Sequence, residues 1–361
     1  MTAEYPTPEK LIRAEVRELD VYHVPSADGL VKLDAMENPY GWPPELVQGW
    51  LAAIRDVPLN RYPDPVARDL LPLMRAAMAV PDGAEILLGN GSDELIQILM
   101  TAVAGARRSV LAPEPGFVMY RLIARALGLN YVGVPLRSAD FSLDLPALLK
   151  AVELHRPALI FLAYPNNPTG NLFNDSDIER ILEAASGLVV IDEAYAPFAN
   201  ATWMPRLAQY PHLLILRTLS KLGLAGLRLG LLVGSSEWIR EMDKVRLPYN
   251  INALTQRTAQ FALEHNEVLL AQAEQIRAER GRLFGVLGAL KGVTAYPSRA
   301  NFILFRVHSV SAPAVYARLL DDGILIKQLH GAHPMLENCL RVTVGTPEEN
   351  QRFLDSLAGV V

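Results

Sequence analysis

Short apolar runs that alternate with helical patterns are the feature that most restricts the fold of this chain. Six such runs occur between about residues 46 and 235, among them 159–162, 188–191 and 213–216. Strands that are hydrophobic along their whole length are typical of a parallel sheet covered by helices on both faces. The sequence therefore predicts an α/β fold with a mostly parallel sheet.

Five of these runs are followed by loops that are rich in polar residues, glycine and proline. The loops are 89–94 (GNGSDE), 112–117 (APEPGF), 164–170 (YPNNPTG), 192–195 (DEAY) and 217–221 (RTLSK). In an open α/β sheet, ligands bind outside the carboxyl ends of the strands. If the strands are parallel, the five loops lie at one edge of the sheet, and we expect the functional site there.

The length of the chain, 361 residues, predicts a large domain and a smaller one. We expect residues 1–45 to form an N-terminal arm that packs with the small domain, and residues 46–252 to form the large, ligand-binding domain. Residues 253–290 are helical in pattern and are expected to bridge the domains. The mixture of strand and helix patterns in residues 291–361 predicts a small α+β domain.

The charge balance excludes several classes of partner. The formal net charge is −5, with a pI near 5.9, so the chain has no electrostatic footprint for nucleic acid or for an anionic membrane surface. Residues 1–10 lack the apolar core of a signal peptide, and the apolar runs are too short to span a bilayer. We therefore expect a soluble, cytoplasmic protein.

The one cysteine, Cys339, excludes an internal disulfide and is interpreted as a core residue of a strand.

Two of the loops carry residues suited to an anion and to a nucleophile. In loop 89–94 the glycines let the backbone approach a ligand, and the helix that follows offers unpaired N–H groups. Ser92 is expected to cap that helix, although a plain capped turn explains the same residues. Lys221 is flanked by small and apolar residues; burial would lower its pKa and make it a nucleophile, whereas a solvated surface lysine is the alternative.

The remaining loops supply a carboxylate, hydrogen-bond donors and an aromatic ring. Asp192 ends a buried run and needs a partner, either structural or the protonated nitrogen of a pyridine ring. Tyr195 and Asn167 are placed to bind a phenolic oxygen, and Phe117 offers a ring face. Together with Lys221 and loop 89–94, these residues supply every element that a pyridoxal phosphate site requires.

The order and spacing of these segments resemble the aspartate-aminotransferase-like superfamily of pyridoxal-phosphate enzymes (fold type I), and within it the histidinol-phosphate aminotransferases. Further matching segments are 37–41 (ENPYG), 61–65 (RYPDP) and 340–346 (LRVTVGT), and the resemblance covers nearly the whole chain. It implies a large domain with a mostly parallel seven-stranded sheet covered by helices, and a small α+β domain. It also implies pyridoxal 5'-phosphate as the cofactor and a homodimer with shared active sites.

The resemblance also implies a role for each site residue. Lys221 binds the cofactor covalently and moves a proton between the substrate carbon and the cofactor. Asp192 pairs with the pyridine nitrogen, Tyr195 and Asn167 bind the phenolic oxygen, and Phe117 stacks on the ring. The residues expected around the cofactor phosphate are Gly91, Ser92, Asp93, Thr218, Ser220 and Arg228, with Tyr62 reaching it from the neighbouring subunit.

The implied substrate contacts centre on Arg341, which holds the carboxylate of the amino donor and, in this subfamily, meets the phosphate of histidinol phosphate. Tyr22 and Lys327 match further phosphate contacts, and Asn38 lies in the loop that lines the pocket. Lys327 departs from the family pattern, because arginine is common there. A lysine ammonium cannot bind phosphate in the bidentate manner of a guanidinium. The interval from Lys221 to Arg228 is also one residue shorter than the common superfamily pattern, which weakens the inference for Arg228.

The predicted reaction is transamination of L-histidinol phosphate with 2-oxoglutarate, which gives imidazole acetol phosphate and glutamate in histidine biosynthesis. The alternatives within the same cofactor class are an aromatic amino acid aminotransferase and a threonine-phosphate decarboxylase. A transcription regulator built on this fold would need an added basic DNA-binding domain. A metal hydrolase is disfavoured, because His330 and His333 form only a lone pair in a Gly- and Pro-containing loop, and we expect no metal.

Overall fold

The computed structural model of the chain describes residues 7–21, 24–105 and 107–361, which form two sheets surrounded by helices. The strands are β1 (Val31–Leu33), β2 (Ala84–Gly89), β3 (Ser109–Glu114), β4 (Asn130–Pro135), β5 (Leu159–Ala163), β6 (Leu188–Asp192), β7 (Leu213–Thr218), β8 (Gly230–Ser235), β9 (Val293–Ala295), β10 (Phe302–Val307), β11 (Ile324–Gln328) and β12 (Cys339–Thr343). The helices are α1 (Pro8–Leu11), α2 (Ala14–Arg17), α3 (Pro44–Ile54), α4 (Leu71–Ala77), α5 (Gly91–Val103), α6 (Val118–Ala126), α7 (Leu145–His155), α8 (Asp175–Ala184), α9 (Ala196–Ala199), α10 (Ser236–Asp243), α11 (Ala253–Glu264), α12 (Asn266–Ala289), α13 (Ala312–Asp321) and α14 (Pro347–Ala358).

In the described part of the chain the larger sheet has seven strands, in the order β2-β8-β7-β6-β5-β3-β4. Strand β8 runs antiparallel to its neighbours β2 and β7, whereas the other neighbouring pairs are parallel. This confirms the predicted mostly parallel, seven-stranded sheet. The sequence did not reveal β4, because this edge strand is only partly buried and therefore lacks a continuous apolar run.

Helices cover both faces of the larger sheet, which explains its hydrophobic strands. Every residue of β6 is buried. Val189 and Ile191 point to a core shared with α7, α8, α11 and α12, whereas Val190 points to a second core formed with α5, α6 and α10. Because successive side chains of a strand point to opposite faces, a strand covered on both sides must be apolar at every position.

The smaller sheet has the order β1-β11-β12-β10-β9 within the described residues. Strand β1 is parallel to β11, and the other neighbouring pairs are antiparallel. The cysteine of β12, Cys339, is buried, as expected from the sequence. Arg280 of helix α12 donates to the carbonyl of Phe198 in α9, which follows β6, at 3.1 Å, and to that of Ala300, which precedes β10, at 2.9 Å.

The five polar loops lie at one edge of the larger sheet, as predicted. Strand β2 runs in the same direction as β7, because both are antiparallel to β8, and β3, β5 and β6 share that direction. The antiparallel strand β8 begins at this edge with Gly230, whose register partners are Gly89 and Thr218. The topology therefore places the ends of β2, β3, β5, β6 and β7 around one space.

Candidate active site

A cavity at the carboxyl edge of the larger sheet contains most of the residues that the sequence singled out. The structure brings together the predicted residues Ser92, Asp93, Phe117, Asn167, Asp192, Tyr195, Thr218, Ser220, Lys221 and Arg228 in its wall. Each of these residues lies in one of the five loops or in the turn that follows β7. The convergence follows from the shared direction of the strands.

Lys221 lies in a single π-helical turn, Ser220–Leu224, directly after β7. Gly223 in this turn has φ +124°, a conformation that side chains disfavour, and a Cβ there would lie 2.9 Å from Asn38 Nδ2. The Nζ atom of Lys221 donates to the carbonyl of Ala35 at 3.1 Å. Burial, with a smaller contribution from the charge of Arg341, lowers the pKa of Lys221 to about 8. The amine is therefore accessible in its neutral, nucleophilic form.

Asp192 ends β6 and is 5% exposed. One carboxylate oxygen accepts from the Tyr120 hydroxyl at 2.7 Å, and the other accepts from the Ala194 N–H at 3.1 Å. Burial raises the pKa of Asp192 to about 6, and the two hydrogen bonds oppose that rise. A buried carboxylate held only by neutral donors is suited to a cationic ring nitrogen.

A chain of hydrogen bonds links Tyr195 to the smaller sheet. The Asn167 side-chain amide donates to the Tyr195 hydroxyl oxygen at 3.1 Å, and Asn167 Oδ1 accepts from the guanidinium of Arg341. Burial raises the pKa of Tyr195, and the charge of Arg341 opposes the rise. The phenol of Tyr195 therefore remains protonated at neutral pH and is available as a donor.

The start of α5 forms a cradle for an anion, because the first N–H groups of a helix have no partner within the helix. Gly91 begins the helix with φ +81°, and a Cβ there would lie 2.8 Å from the guanidinium of Arg228. A Cβ on Gly230, in the neighbouring strand, would lie 2.8 Å from Ser92 N. The expectation that Ser92 caps α5 was wrong, because the helix already begins at Gly91 and Ser92 lies inside its first turn.

Arg228 reaches this cradle despite the shortened interval from Lys221. Its backbone has φ +50°, and its guanidinium lies 3.6 Å from the carboxylate of Asp93. Burial raises the pKa of Asp93, although Arg228 and Lys221 both favour its charged form. At the wall of the same cavity, Thr218 Oγ1 accepts from the Ser220 N–H at 3.1 Å and donates to Ser220 Oγ at 3.0 Å, so the two hydroxyls are held together.

These features fit pyridoxal phosphate. The first N–H groups of α5, with the guanidinium of Arg228 close to Gly91, suit the charge of a phosphate group. Lys221 supplies an amine of lowered pKa, and Asp192 supplies a buried acceptor in the wall of the same cavity. Phe117 lines the same space with its ring. The residues that would hold the group are therefore those in the wall of this cavity.

A second cavity adjoins the first, since both are lined by Met36, Phe117 and Asn167. Its wall includes Lys327 and Arg341. These two residues are direct register partners in β11 and β12, and their side chains therefore project from the same face of the sheet. Burial and the charge of Arg341 lower the pKa of Lys327. Two cations therefore stand side by side next to the space that contains Lys221.

Two other predicted residues, Tyr62 and Asn38, lie elsewhere. Tyr62 is 81% exposed and stacks on Tyr249 with ring centroids 4.5 Å apart, so it does not enter the cavity of its own chain. Asn38 turns its amide away from the substrate cavity and donates to Leu222 O at 3.2 Å and to Gln272 Oε1 at 3.0 Å, which braces the loop of Lys221. Tyr22 lies outside the described residues.

The two histidines considered as metal ligands have structural roles. His330 Nδ1 accepts from the Asn338 N–H at 3.1 Å, and His333 Nδ1 accepts from the Met335 N–H at 3.2 Å. Searching the described residues for three or more clustered metal-binding side chains yields none.

One residue of the site was missed in the sequence. Tyr120 lies in the first turn of α6, three residues after Phe117, and its hydroxyl reaches Asp192. Residues three apart share a helix face. The available signal was a tyrosine at that spacing from Phe117, but the face is otherwise apolar and predicts ordinary core packing.

The fold and this site define a class of enzyme. A sequence model described as "Aminotransferase class I and II" matches residues 28–357, so the chain belongs to that family. Enzymes of the family depend on pyridoxal phosphate.

The more specific likeness is to histidinol-phosphate aminotransferases. The chain is 56% identical to histidinol-phosphate aminotransferase 2 of Nitrosococcus oceani over 346 residues, covering 96% of each chain. It is 54% identical to histidinol-phosphate aminotransferase 1 of Ralstonia nicotianae, over 97% of this chain and 94% of the relative. The crystal structure of histidinol-phosphate aminotransferase from Sinorhizobium meliloti in complex with pyridoxal-5'-phosphate shares the fold, with a TM-score of 0.86, 24% identity and 97% coverage of both chains.

Proposed function

We propose that this enzyme transaminates L-histidinol phosphate with 2-oxoglutarate and thereby serves histidine biosynthesis. The observation that carries the proposal is the pair of cations, Lys327 and Arg341, beside the cavity of Lys221. Two neighbouring cations suit a phosphate dianion, because each can give it a charge-assisted hydrogen bond. The names of the relatives with more than half of their residues identical support the same substrate.

The protein's own groups would perform the steps around the cofactor. Bound pyridoxal phosphate supplies an electron sink for the carbon that carries the substrate amine. Lys221 would hold the cofactor through its amine and would carry a proton to and from that carbon. Its pKa of about 8 suits both tasks near neutral pH. Asp192 would keep the ring nitrogen cationic, and Tyr195 and Asn167 would donate to the phenolic oxygen.

Arg341 would orient the substrate in both halves of the reaction. A guanidinium offers a rigid fork that binds a carboxylate or a phosphate in a bidentate manner. Glutamate presents its carboxylate and histidinol phosphate its phosphate, and Lys327 adds a point charge for the phosphate. An aromatic aminotransferase has no need for the second cation. A threonine-phosphate decarboxylase would use both cations, so the assay has to separate it directly.

We also propose a cytoplasmic homodimer with shared active sites. Tyr62 and Tyr249 form an exposed aromatic pair, and Leu59 and Leu247 nearby along the chain are 74% and 73% exposed. Exposed apolar groups of this kind are typical of an interface. Tyr62 would then reach the cofactor phosphate of the partner. Among the described residues, no helix is long and apolar enough to cross a membrane.

The test is a side-by-side assay of the purified protein with histidinol phosphate, phenylalanine and threonine phosphate, each with 2-oxoglutarate. We expect kcat/KM for histidinol phosphate to exceed that for phenylalanine at least tenfold, and threonine phosphate to release no carbon dioxide. A preference for phenylalanine, or decarboxylation of threonine phosphate, would assign the protein to the corresponding alternative.

A further inference from the structure

We propose that Tyr120 is a positioning residue whose hydroxyl holds Asp192 as a carboxylate, aimed at the ring nitrogen of the cofactor. The proposal rests on the proposed function, because it concerns the same site. It goes beyond the residues already assigned there, since Tyr120 does not line the cavity and acts through Asp192. It also predicts that removing this hydroxyl weakens the contact of Asp192 with the ring nitrogen of the cofactor. The contacts of the protein with the cofactor phosphate should stay unchanged.

The position of Tyr120 is fixed by packing on two sides. It lies in the first turn of α6 and is 1% exposed. Its ring stacks on Phe161 of β5, with centroids 4.6 Å apart and planes 18° apart. Strand β5 lies beside β6, which ends at Asp192. The hydroxyl is thereby held 2.7 Å from one carboxylate oxygen, which is the length of a strong hydrogen bond to an ionised acceptor.

The carboxylate depends on this donor. In the described residues, its hydrogen-bond donors are the Tyr120 hydroxyl and the Ala194 N–H, both of which are neutral. Burial and the nearby carboxylates of Asp93 and Glu193 all favour the protonated form of Asp192. Burial also raises the pKa of Tyr120 well above its usual value, so that its hydroxyl remains a donor. A side-chain change at Tyr120 therefore removes the one donor that is not part of the backbone.

The aromatic ring of Tyr120 has a separate contact. Phe117, three residues earlier, meets it edge to face, with centroids 5.4 Å apart and planes at 86°. Phe117 lines the cavity. Replacing Tyr120 by phenylalanine keeps this ring contact and the stacking on Phe161, and it removes only the hydroxyl. The substitution therefore isolates the proposed role.

The experiment compares two ligands on cofactor-free, full-length Tyr120→Phe and wild-type protein. One ligand is pyridoxal phosphate, and the other is 1-deazapyridoxal phosphate, in which a C–H replaces the ring nitrogen. A hydrogen bond to a charged group is worth enough that its loss changes an equilibrium at least about tenfold. We expect Tyr120→Phe to bind pyridoxal phosphate about tenfold more weakly than wild type and to bind the analogue within about twofold of wild type.

Two further variants make the result specific. Tyr316→Phe, which removes a tyrosine hydroxyl on α13 in the smaller domain region, should leave both affinities unchanged. In an Asp192→Asn background, Tyr120→Phe should have no additional effect on the affinity for pyridoxal phosphate. Thermal unfolding of each variant reports the integrity of the fold.

Equal weakening of both ligands by Tyr120→Phe would overturn the proposal, because it would show that the hydroxyl only shapes the pocket. Unchanged binding of both ligands would overturn it as well. Wild-type protein that takes up neither ligand would contradict the proposed function itself, so the two failures are distinguishable.

Discussion

Arg341 of the smaller sheet donates a hydrogen bond to Asn167, in the loop after β5 of the larger sheet, across 174 residues of sequence. Asn167 in turn donates to Tyr195 at 3.1 Å. Arg341 is therefore two hydrogen bonds away from the phenol that we propose faces the cofactor, and an anion bound by Arg341 would be three away. These side chains would connect the proposed substrate contact at Arg341 with the proposed cofactor contact at Tyr195.

Replacing Arg341 by lysine should weaken both substrates. Lysine keeps the charge but loses the fork and the contact with Asn167, so we expect KM for glutamate and for histidinol phosphate to rise about tenfold or more. Steady-state kinetics with each substrate measure this. Arg306→Lys is the matched control, because Arg306 lies in the adjacent strand and donates to Met335 O at 2.8 Å. Unchanged KM values in Arg341→Lys would contradict the role of the fork.

Replacing Lys327 by methionine should discriminate between the substrates. The change removes one of two cations proposed to bind phosphate, whereas glutamate keeps Arg341 for its carboxylate. We expect KM for histidinol phosphate to rise about tenfold and KM for glutamate to change by less than about threefold, since a charge-assisted contact is worth about 1.5–3 kcal/mol. Lys327→Arg should restore phosphate binding. An equal rise for both substrates would count against a phosphate contact.

The pKa of Lys221 can be measured in the cofactor-free protein. Only the neutral amine reacts with acetic anhydride, so the rate of acetylation at Lys221 should rise with pH and level off above about pH 8, the value to which burial lowers its pKa. Mass spectrometry of the labelled peptides measures this rate. In Arg341→Met the pH at which this rate reaches half of its plateau should be higher, because the loss of a neighbouring positive charge raises the pKa of Lys221. A midpoint near 10 in the wild type would contradict the burial of the amine.

The buried carboxylate of Asp192 should destabilise the cofactor-free protein above pH 6. Its pKa is raised to about 6 in the folded chain, which therefore keeps a proton that the unfolded chain releases near pH 4. Stability from this group is lost as the pH rises through that interval, at a cost of about 2–3 kcal/mol above it. Asp192→Asn should thus be more stable than wild type at pH 8, with a smaller difference at pH 5.

Thermal unfolding of the cofactor-free proteins measures this difference. Asp243→Asn is the control, because that carboxylate is half exposed and paired with Arg246 at 2.7 Å. It should give no gain at pH 8. If Asp192→Asn is less stable than wild type at pH 8, the protein already stabilises the charged carboxylate without the cofactor. The proposed pairing with the ring nitrogen would then lose its physical basis.

The sequence allowed the central strands to be predicted because their burial on both faces makes every residue apolar, as in β6. The partly buried edge strand β4 gave no such signal. Asp192 was predicted because it directly follows an apolar run, and Lys221 because it lies in the polar loop after another. Ser92 was misassigned because α5 begins at Gly91, two residues before the start that a Ser92 cap implies, and Asn90 is the residue at the cap position. Tyr120 reaches Asp192 only through tertiary packing, which periodicity does not encode.

The central claim is that Lys221 carries the cofactor. Borohydride reduces a carbon–nitrogen double bond and makes the attachment permanent, so treatment of the purified protein followed by peptide mapping locates it. We predict a single reduced pyridoxyl adduct on the peptide that contains Lys221, and none in Lys221→Ala. An adduct on another residue, or no adduct in the wild type, would contradict the account.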